Sequence, residues 1–303
     1  MGNSVFPVAS SGECGVDNPL NLPQLDIPGL LKRHGLQPDK NLGQNFLIDA
    51  TYLNRVAEAG NIREEDIVLE IGAGLGNLTR LLSMQAKEVL AVELDLDLIP
   101  ILEDVTKIYP NIQIIQGDIL KIDLVELIPA TGYLVIANIP YYITSNLIRH
   151  LMTAKKRPTR IVLTIQREVA ERICAQAEKF SMLSLSVQVF GNPEIVSRVP
   201  AGAFYPPPKV DSAIVRIELY SSPIIPETQL NTFFQLARAG FSQKRKTLRN
   251  SLSAGLQEDK TTIENLLAEA GIDSWRRAET LSLDEWKSLT ILYADLMPPH
   301  QSG

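Results

Sequence analysis

The sequence predicts an α/β fold, a central and mostly parallel sheet with helices on both faces, followed by a small all-helical C-terminal domain. Three observations carry that expectation. From Glu65 to Ile217, short β-branched runs alternate with stretches of helical periodicity. Those runs are short and nearly all apolar, as strands are when helices cover both faces of their sheet. Beyond Ser221-Ser222-Pro223 the periodicity is helical only.

The bulk properties set the scale. With 303 residues, 45% of them hydrophobic, the chain can bury a sizeable core in one large and one smaller domain. No apolar run approaches the roughly 18 residues that a membrane span requires. Met1 to Leu20 has neither the basic start nor the apolar stretch of a secretory signal, and Phe6 stands where a myristoylation motif wants Ser or Thr. Residues 1–21, rich in Ser, Gly and Pro, read as a disordered extension, and a cytoplasmic protein is expected. Two cysteines (Cys14 and Cys174) and three scattered histidines (His34, His150 and His300) cannot supply a disulfide framework. They suggest neither a metal site nor a Ser-His-Asp triad, and no metal is expected. The net charge of −6 disfavours nucleic acid only as a whole-molecule sum. Two segments are locally basic: Arg149 to Arg160, with Lys155, Lys156 and Arg157, and Arg238 to Arg249, with Lys244, Arg245 and Lys246.

In chain order, Leu22 to Gly60 reads as mainly helical, with Asp49 placed to cap the helix that follows. Strands are expected at 67–71, 88–93, 112–116, 133–137 and 161–166, and helices between them at 75–85, 96–108 and 144–152. Two later strands, 183–190 and 213–219, have no evident crossover helix between them, which suggests antiparallel pairing at one end of the sheet. The last helices fall at 228–241, 247–256, 261–270 and 283–296, with Gly271 a plausible C-cap. The domain division is therefore 22–222 and 223–303.

Val68-Leu-Glu-Ile-Gly-Ala-Gly-Leu-Gly76 places three glycines between a buried strand and a helix, where backbone can approach a ligand closely. Gly72, Gly74 and Gly76 give G-x-G-x-G, and Asn77 stands where a dinucleotide fingerprint wants its third glycine. Glu70 before the loop is a further departure from that fingerprint. Glu93 ends the second strand on the same sheet edge, where a carboxylate can accept from both hydroxyls of a ribose. Asp118, after the third strand, can accept from an adenine amino group. Three successive strand ends delivering such groups to one edge point to a nucleoside ligand. These residues resemble the class I S-adenosylmethionine methyltransferases. The resemblance implies S-adenosyl-L-methionine as cofactor and a Rossmann-like sheet.

Asn138-Ile139-Pro140-Tyr141 follows the fourth strand. The exocyclic N6 of adenine is a poor nucleophile because its lone pair is delocalised into the ring. Two acceptors aimed at its hydrogens, the Asn138 side-chain carbonyl and the Ile139 main-chain carbonyl, can draw it toward tetrahedral geometry. Pro140 stiffens the backbone, and Tyr141 offers a face for stacking. The tetrapeptide resembles the Asn/Asp-Pro-Pro-Tyr amino methyltransferases, in the form typical of ribosomal RNA adenine dimethylases.

Further segments are similar to that family. In Asn41-Leu-Gly-Gln-Asn-Phe-Leu47 the resemblance implies cofactor contacts at Asn45 and Leu47. In Phe204-Tyr-Pro-Pro-Pro-Lys-Val-Asp-Ser212 it implies that Phe204 closes over the target base opposite Tyr141. Phe241-Ser-Gln-Lys-Arg-Lys-Thr-Leu-Arg-Asn-Ser251 and Arg277-Ala-Glu-Thr-Leu-Ser282 resemble the branch that dimethylates two adjacent adenines near the 3′ end of small-subunit rRNA. Implied with it are cofactor contacts at Gly72, Gly74, Glu93, Asp118 and Asn138, and a base site at Asn138, Ile139, Pro140, Tyr141 and Phe204. The two basic segments become phosphate-contacting candidates: Lys155, Lys156 and Arg157, and, preferred, Lys244, Arg245, Lys246 and Arg249. The expected partner is small-subunit rRNA in an assembling 30S-type particle, met by a monomer. Two alternatives stay open: a large-subunit adenine methylase of the antibiotic-resistance type, and an assembly factor with secondary catalysis.

Overall fold

A computed structural model describes residues 22–128 and 131–296. The expectations for residues 1–21, including Cys14, and for His300 lie outside the described residues.

The chain enters through α1 (Ile27–Arg33), the short strand β1 (Phe46–Leu47) and α2 (Ala50–Gly60). The Asp49 carboxylate accepts from the Thr51 and Tyr52 amides and caps α2, as its position before the apolar stripe suggests. The stretch from 34 to 49, expected to be mainly helical, is instead turns and β1, because its side chains and carbonyls bind the sheet edge described below. An alternating series follows: β2 (Ile67–Ile71), α3 (Asn77–Ser83), β3 (Glu88–Glu93), α4 (Ile99–Thr106) and β4 (Ile112–Gln116). After it come α5 (Leu124–Leu127), β5 (Leu134–Asn138), α6 (Thr144–Thr153) and β6 (Arg160–Gln166). Next are α7 (Arg167–Ile173), α8 (Met182–Gln188), β7 (Gly191–Val199), β8 (Phe204–Tyr205) and β9 (Ser212–Leu219).

Seven strands form one sheet in the order β4-β3-β2-β5-β6-β9-β7. β2 through β6 are mutually parallel, and β9 runs antiparallel between β6 and β7. The order reverses between β2 and β5, the switch point at whose carboxyl edge open α/β sheets bind ligands. β1 and β8 pair antiparallel as a separate ribbon, Leu47 opposite Phe204, and so hold the entry segment against the loop before β9.

The expected strand at 183–190 is helix α8. Leu183-Ser-Leu-Ser-Val-Gln alternates, but Ser184 and Gln188 are buried with the apolar residues, so the pattern is not one of inside and outside. Ser181 and Ser184 form a capping box that starts the helix, and the Gln188 amide donates to the carbonyls of Ile173 and Ala175. The antiparallel partner of β9 is β7, an edge strand on which Pro193 costs no ladder bond.

Among the described residues four further α-helices follow: α9 (Leu230–Phe241), α10 (Leu248–Leu256), α11 (Lys260–Glu269) and α12 (Leu283–Leu296). Gly271 takes φ +71° just past α11, the left-handed position of a helix stop. A single apolar cluster runs from β2, β5 and β6 through α6 and α8 to Phe233, Leu252 and Trp286. Phe190 and Phe234, with ring centroids 6.4 Å apart, join the sheet side to the helical side.

Candidate active site

The carboxyl edge at the switch point opens into a cavity of about 230 Å³. Its floor is the glycine loop, in which Gly72, Gly74 and Gly76 all have φ between +57° and +85°, a region that residues with a Cβ avoid. At Gly74 an added Cβ would stand 3.1 Å from the Phe46 ring. The loop is pinned by Gly72 N–H donating to the Val92 carbonyl at 2.8 Å.

Glu93 sits at the end of β3, almost fully buried. Its Oε2 accepts from Gly74 N–H at 2.6 Å, and its Oε1 accepts from Leu94 and Asp95 N–H, both at 2.8 Å. A carboxylate has about four acceptor sites. Glu93 therefore keeps acceptor capacity for a ligand's donor, chiefly on Oε2. Burial raises its pKa, and the three N–H donors oppose that shift. Asp118 lies at the cavity wall after β4, one oxygen accepting from Leu120 N–H at 3.1 Å and the other 3.3 Å from the Lys121 ammonium.

The entry segment roofs the loop. Asn77 donates its amide to the Leu47 carbonyl at 3.0 Å, and Gln44 donates to Asp95 at 2.6 Å. Neither Gln44 nor Asp95 is evident in the sequence, since the pair joins residues 51 positions apart. Asn45 turns its own amide to the Gly43 carbonyl, while its main-chain carbonyl accepts from Asn138 Nδ2 at 3.1 Å. That last bond fixes the Asn138 amide and leaves Oδ1 as its uncommitted acceptor.

Pro140, at φ −56°, starts a single 3-10 turn, Tyr141–Ile143, and Ile139 is buried. The Tyr141 hydroxyl shares a 2.6 Å hydrogen bond with Ser212 Oγ at the start of β9. Burial raises the Tyr141 pKa, so the phenol stays neutral. Phe204 reaches the same cavity from β8, 3% exposed, braced by Leu47 across the ribbon. The structure thus brings Asn45, Leu47, Gly72, Gly74, Glu93, Asp118, Asn138, Ile139, Pro140, Tyr141 and Phe204 to one cavity.

Glu70 is the residue whose importance the sequence understates. It lines the cavity at 1% exposure, and its Oε2 has no hydrogen-bond partner. Burial, with the neighbouring Glu93 carboxylate adding to it, pushes its pKa up to about 8. A buried carboxyl beside a glycine cradle, with Thr79 near it and Oε2 left free, fits a ligand that carries a cationic group. S-adenosyl-L-methionine, with its ammonium and sulfonium, is such a ligand.

The basic candidates are divided by the structure. Lys156 Nζ donates to the carbonyls of Val125 and Ile128, and Arg157 pairs with Glu227 at 2.5 Å beneath the Phe190 ring. The phosphate role expected of these two does not fit such internal positions, and of that trio only Lys155 is exposed. Lys244, Arg245 and Lys246 are exposed, whereas Arg249 is half-buried against Glu264 and the Trp275 ring. Burial also pushes the Cys174 thiol up to about 11, leaving it unreactive near neutral pH.

A glycine cradle at the switch point, roofed by the entry segment and facing a fixed Asn amide, places the chain among class I methyltransferases. Residues 35–295 match the family model described as ribosomal RNA adenine dimethylase, and the chain belongs to that family. It is 47% identical over 266 residues to ribosomal RNA small subunit methyltransferase A of Dehalococcoides mccartyi strain CBDB1, covering 88% of this chain and 91% of that protein. The protein of the same description from Clostridium botulinum strain Kyoto is 41% identical, covering 88% and 98%. Among solved structures, a dimethyladenosine transferase from Plasmodium falciparum aligns with TM-score 0.73 and 28% identity, covering 82% of this chain and 98% of that one. The 23S rRNA methyltransferase ErmE aligns with TM-score 0.68 and 27% identity, covering 82% and 99%.

Proposed function

We propose that the protein dimethylates N6 of two adjacent adenines near the 3′ end of small-subunit rRNA, using S-adenosyl-L-methionine. It acts as a cytoplasmic monomer on an assembling small-subunit particle. The single observation that carries the chemistry is the Asn138 amide, whose Nδ2 is held by the Asn45 carbonyl, leaving Oδ1 uncommitted on a residue that lines the cavity with Tyr141 and Phe204. The address rests on the relatives: the two at 47% and 41% identity are small-subunit methyltransferases, whereas the 23S enzyme aligns at 27%.

When bound, the cofactor supplies an electrophilic methyl group on sulfur. The chain does the rest by placement. Glu70 and the Gly72–Gly76 loop receive the amino-acid end, and Glu93 and Asp118 receive the nucleoside. Tyr141 and Phe204 enclose an extruded adenine, a sequence-tolerant stacking arrangement that needs the base out of its helix. Asn138 Oδ1 and the Ile139 carbonyl each accept one N6 hydrogen, which frees the nitrogen lone pair to attack. With the cofactor held there, N6 would take the methyl group as its bond to sulfur broke, and the cationic nitrogen would then lose a proton to water. After one methylation a single N6 hydrogen remains, so the second transfer leans on one acceptor only.

Asn138→Ala tests this directly. Loss of the positioned acceptor is expected to lower kcat by about 10²–10³-fold, as with other preorganised hydrogen-bonding groups. Cofactor affinity measured by calorimetry should fall only modestly. Retention of near-normal methyl incorporation by that variant would contradict the mechanism.

A further inference from the structure

One feature of the C-terminal helices has no role in the cavity. The chain has two tryptophans: Trp286 is fully buried, while Trp275 is 66% exposed in the loop after α11. An indole displayed this openly must be held, and it is. The Arg249 guanidinium lies over its ring, 4.9 Å from the centroid, and is itself anchored by Glu264 at 3.1 Å. Trp275 N–H donates to Asp273, and the loop is tied to the start of α10 by Leu248 N–H to the Arg276 carbonyl and Arg249 N–H to the Ser274 carbonyl. The ring is thus propped on one side by a cation, with its remaining surface in solvent.

The turn that leads from α9 into α10 carries Lys244, Arg245 and Lys246, all exposed. None of the three side chains has an ion-pair partner among the described residues. Uncommitted cations in the turn that precedes Arg249, the residue on which the aromatic plate rests, match the two demands of single-stranded nucleic acid, phosphate neutralisation and base stacking. Of the carboxylates around the plate, Glu264 is paired with Arg249, and Asp273 accepts from the Trp275 main-chain N–H.

We propose that Trp275, held by Arg249, is a stacking platform for an unpaired base of the rRNA, remote from the base that is methylated. Lys244 to Lys246 contact the flanking phosphates. The proposal rests on RNA being the substrate. It assigns Arg249 a positioning role instead of the phosphate contact expected from the sequence.

The test uses the full-length protein and deproteinised, unmethylated small-subunit rRNA. Trp275→Ala should weaken rRNA binding by about tenfold, the scale of one stacked base. Its slope of log affinity against log salt should be unchanged. Trp275→Phe, which keeps an aromatic face, should recover most of that loss. Substituting Lys244 and Lys246 by Gln should instead flatten the salt slope by about one for each phosphate left without its cation. In the unaltered protein, rRNA should quench the emission of the exposed tryptophan, a readout that needs no variant to fold. Binding of Trp275→Ala as tight as that of the unaltered chain, or an equal loss in Trp275→Phe, overturns the proposal. So does a loss seen only with intact subunits, which would assign the surface to a ribosomal protein. If the unaltered chain binds no rRNA, the substrate reading falls with it. If Trp275→Ala binds normally while methyl transfer is intact, only this inference falls.

Discussion

Glu70 shows how much one residue can report about a site before any ligand is considered. A carboxyl buried to 1% exposure with an unpartnered oxygen destabilises the cofactor-free fold whenever it is ionised. Its pKa rises from 4.5 to about 8 on folding, so between those values the folded chain holds the proton that the unfolded chain has lost. Stability therefore falls as pH rises through that window and levels off above it. Glu93, raised in the same direction, adds to the slope. Glu70→Gln should raise the melting temperature of the cofactor-free protein near pH 8 by several degrees, with the advantage shrinking toward pH 5. The same variant should bind S-adenosyl-L-methionine more weakly, because the cationic group loses its counter-charge. Differential scanning fluorimetry across pH, with and without the cofactor, reads both effects. A pH-independent difference would remove Glu70 from the account. The carboxyl's position is legible in the sequence as part of the glycine loop. Its burial is not, because that depends on the tertiary packing that sets Thr79 of α3 and Glu93 of β3 beside it.

Among the elements, legibility follows what each strand buries. β2, β3 and β4 match their expected limits: β2 and β3 are buried runs covered on both faces, and β4, at the sheet edge, is marked by its isoleucines alternating with exposed Gln113 and Gln116. β7 escapes the sequence pattern because an edge strand bearing Pro193, Glu194 and Arg198 has no such signature, and α8 imitates a strand because its polar positions are buried. The motifs are easier to place. Gly72, Asn138 and the Glu93–Leu94 junction each fall within a residue of a strand end, so locating the strand locates the group. The contacts that complete the site, Gln44 with Asp95 and Asn45 with Asn138, join distant segments and leave no periodic trace. The pairing of α9 with α10 makes a prediction of its own. An added Cβ on Gly255 would stand 2.6 Å from Ala239 Cβ and 2.7 Å from its Cα, so the two helices cross at a distance only glycine allows. Gly255→Ala should cost about 1–3 kcal/mol by overpacking, measured by urea denaturation. An unchanged midpoint would mean that the crossing is looser than described.

At the scale of the whole molecule, the sheet and the C-terminal helices have separate periodicities in the sequence but one continuous core in space. Trp286 is a keystone of the helical side, fully buried, stacked on Phe241 at 6.0 Å and edge-on to Phe233 at 6.5 Å. Trp286→Ala should destabilise the protein by about 3–5 kcal/mol. Because the core is shared through Phe190 and Phe234, unfolding followed by far-ultraviolet dichroism and by tryptophan emission should coincide in one transition. Two separated transitions would instead make residues 223–303 an independent unit. Function also belongs to this scale, since the proposed chemistry sits in the cavity and the proposed rRNA contact on the remote basic surface. The most direct test of both is to incubate the protein with labelled S-adenosyl-L-methionine and either unmethylated small subunits or large subunits, then digest the rRNA and identify the modified nucleosides. The expected product is N6,N6-dimethyladenosine at two adjacent positions near the 3′ end of the small-subunit rRNA, and none in the large subunit. Label found in a large-subunit adenine, or in no adenine at all, would contradict the account.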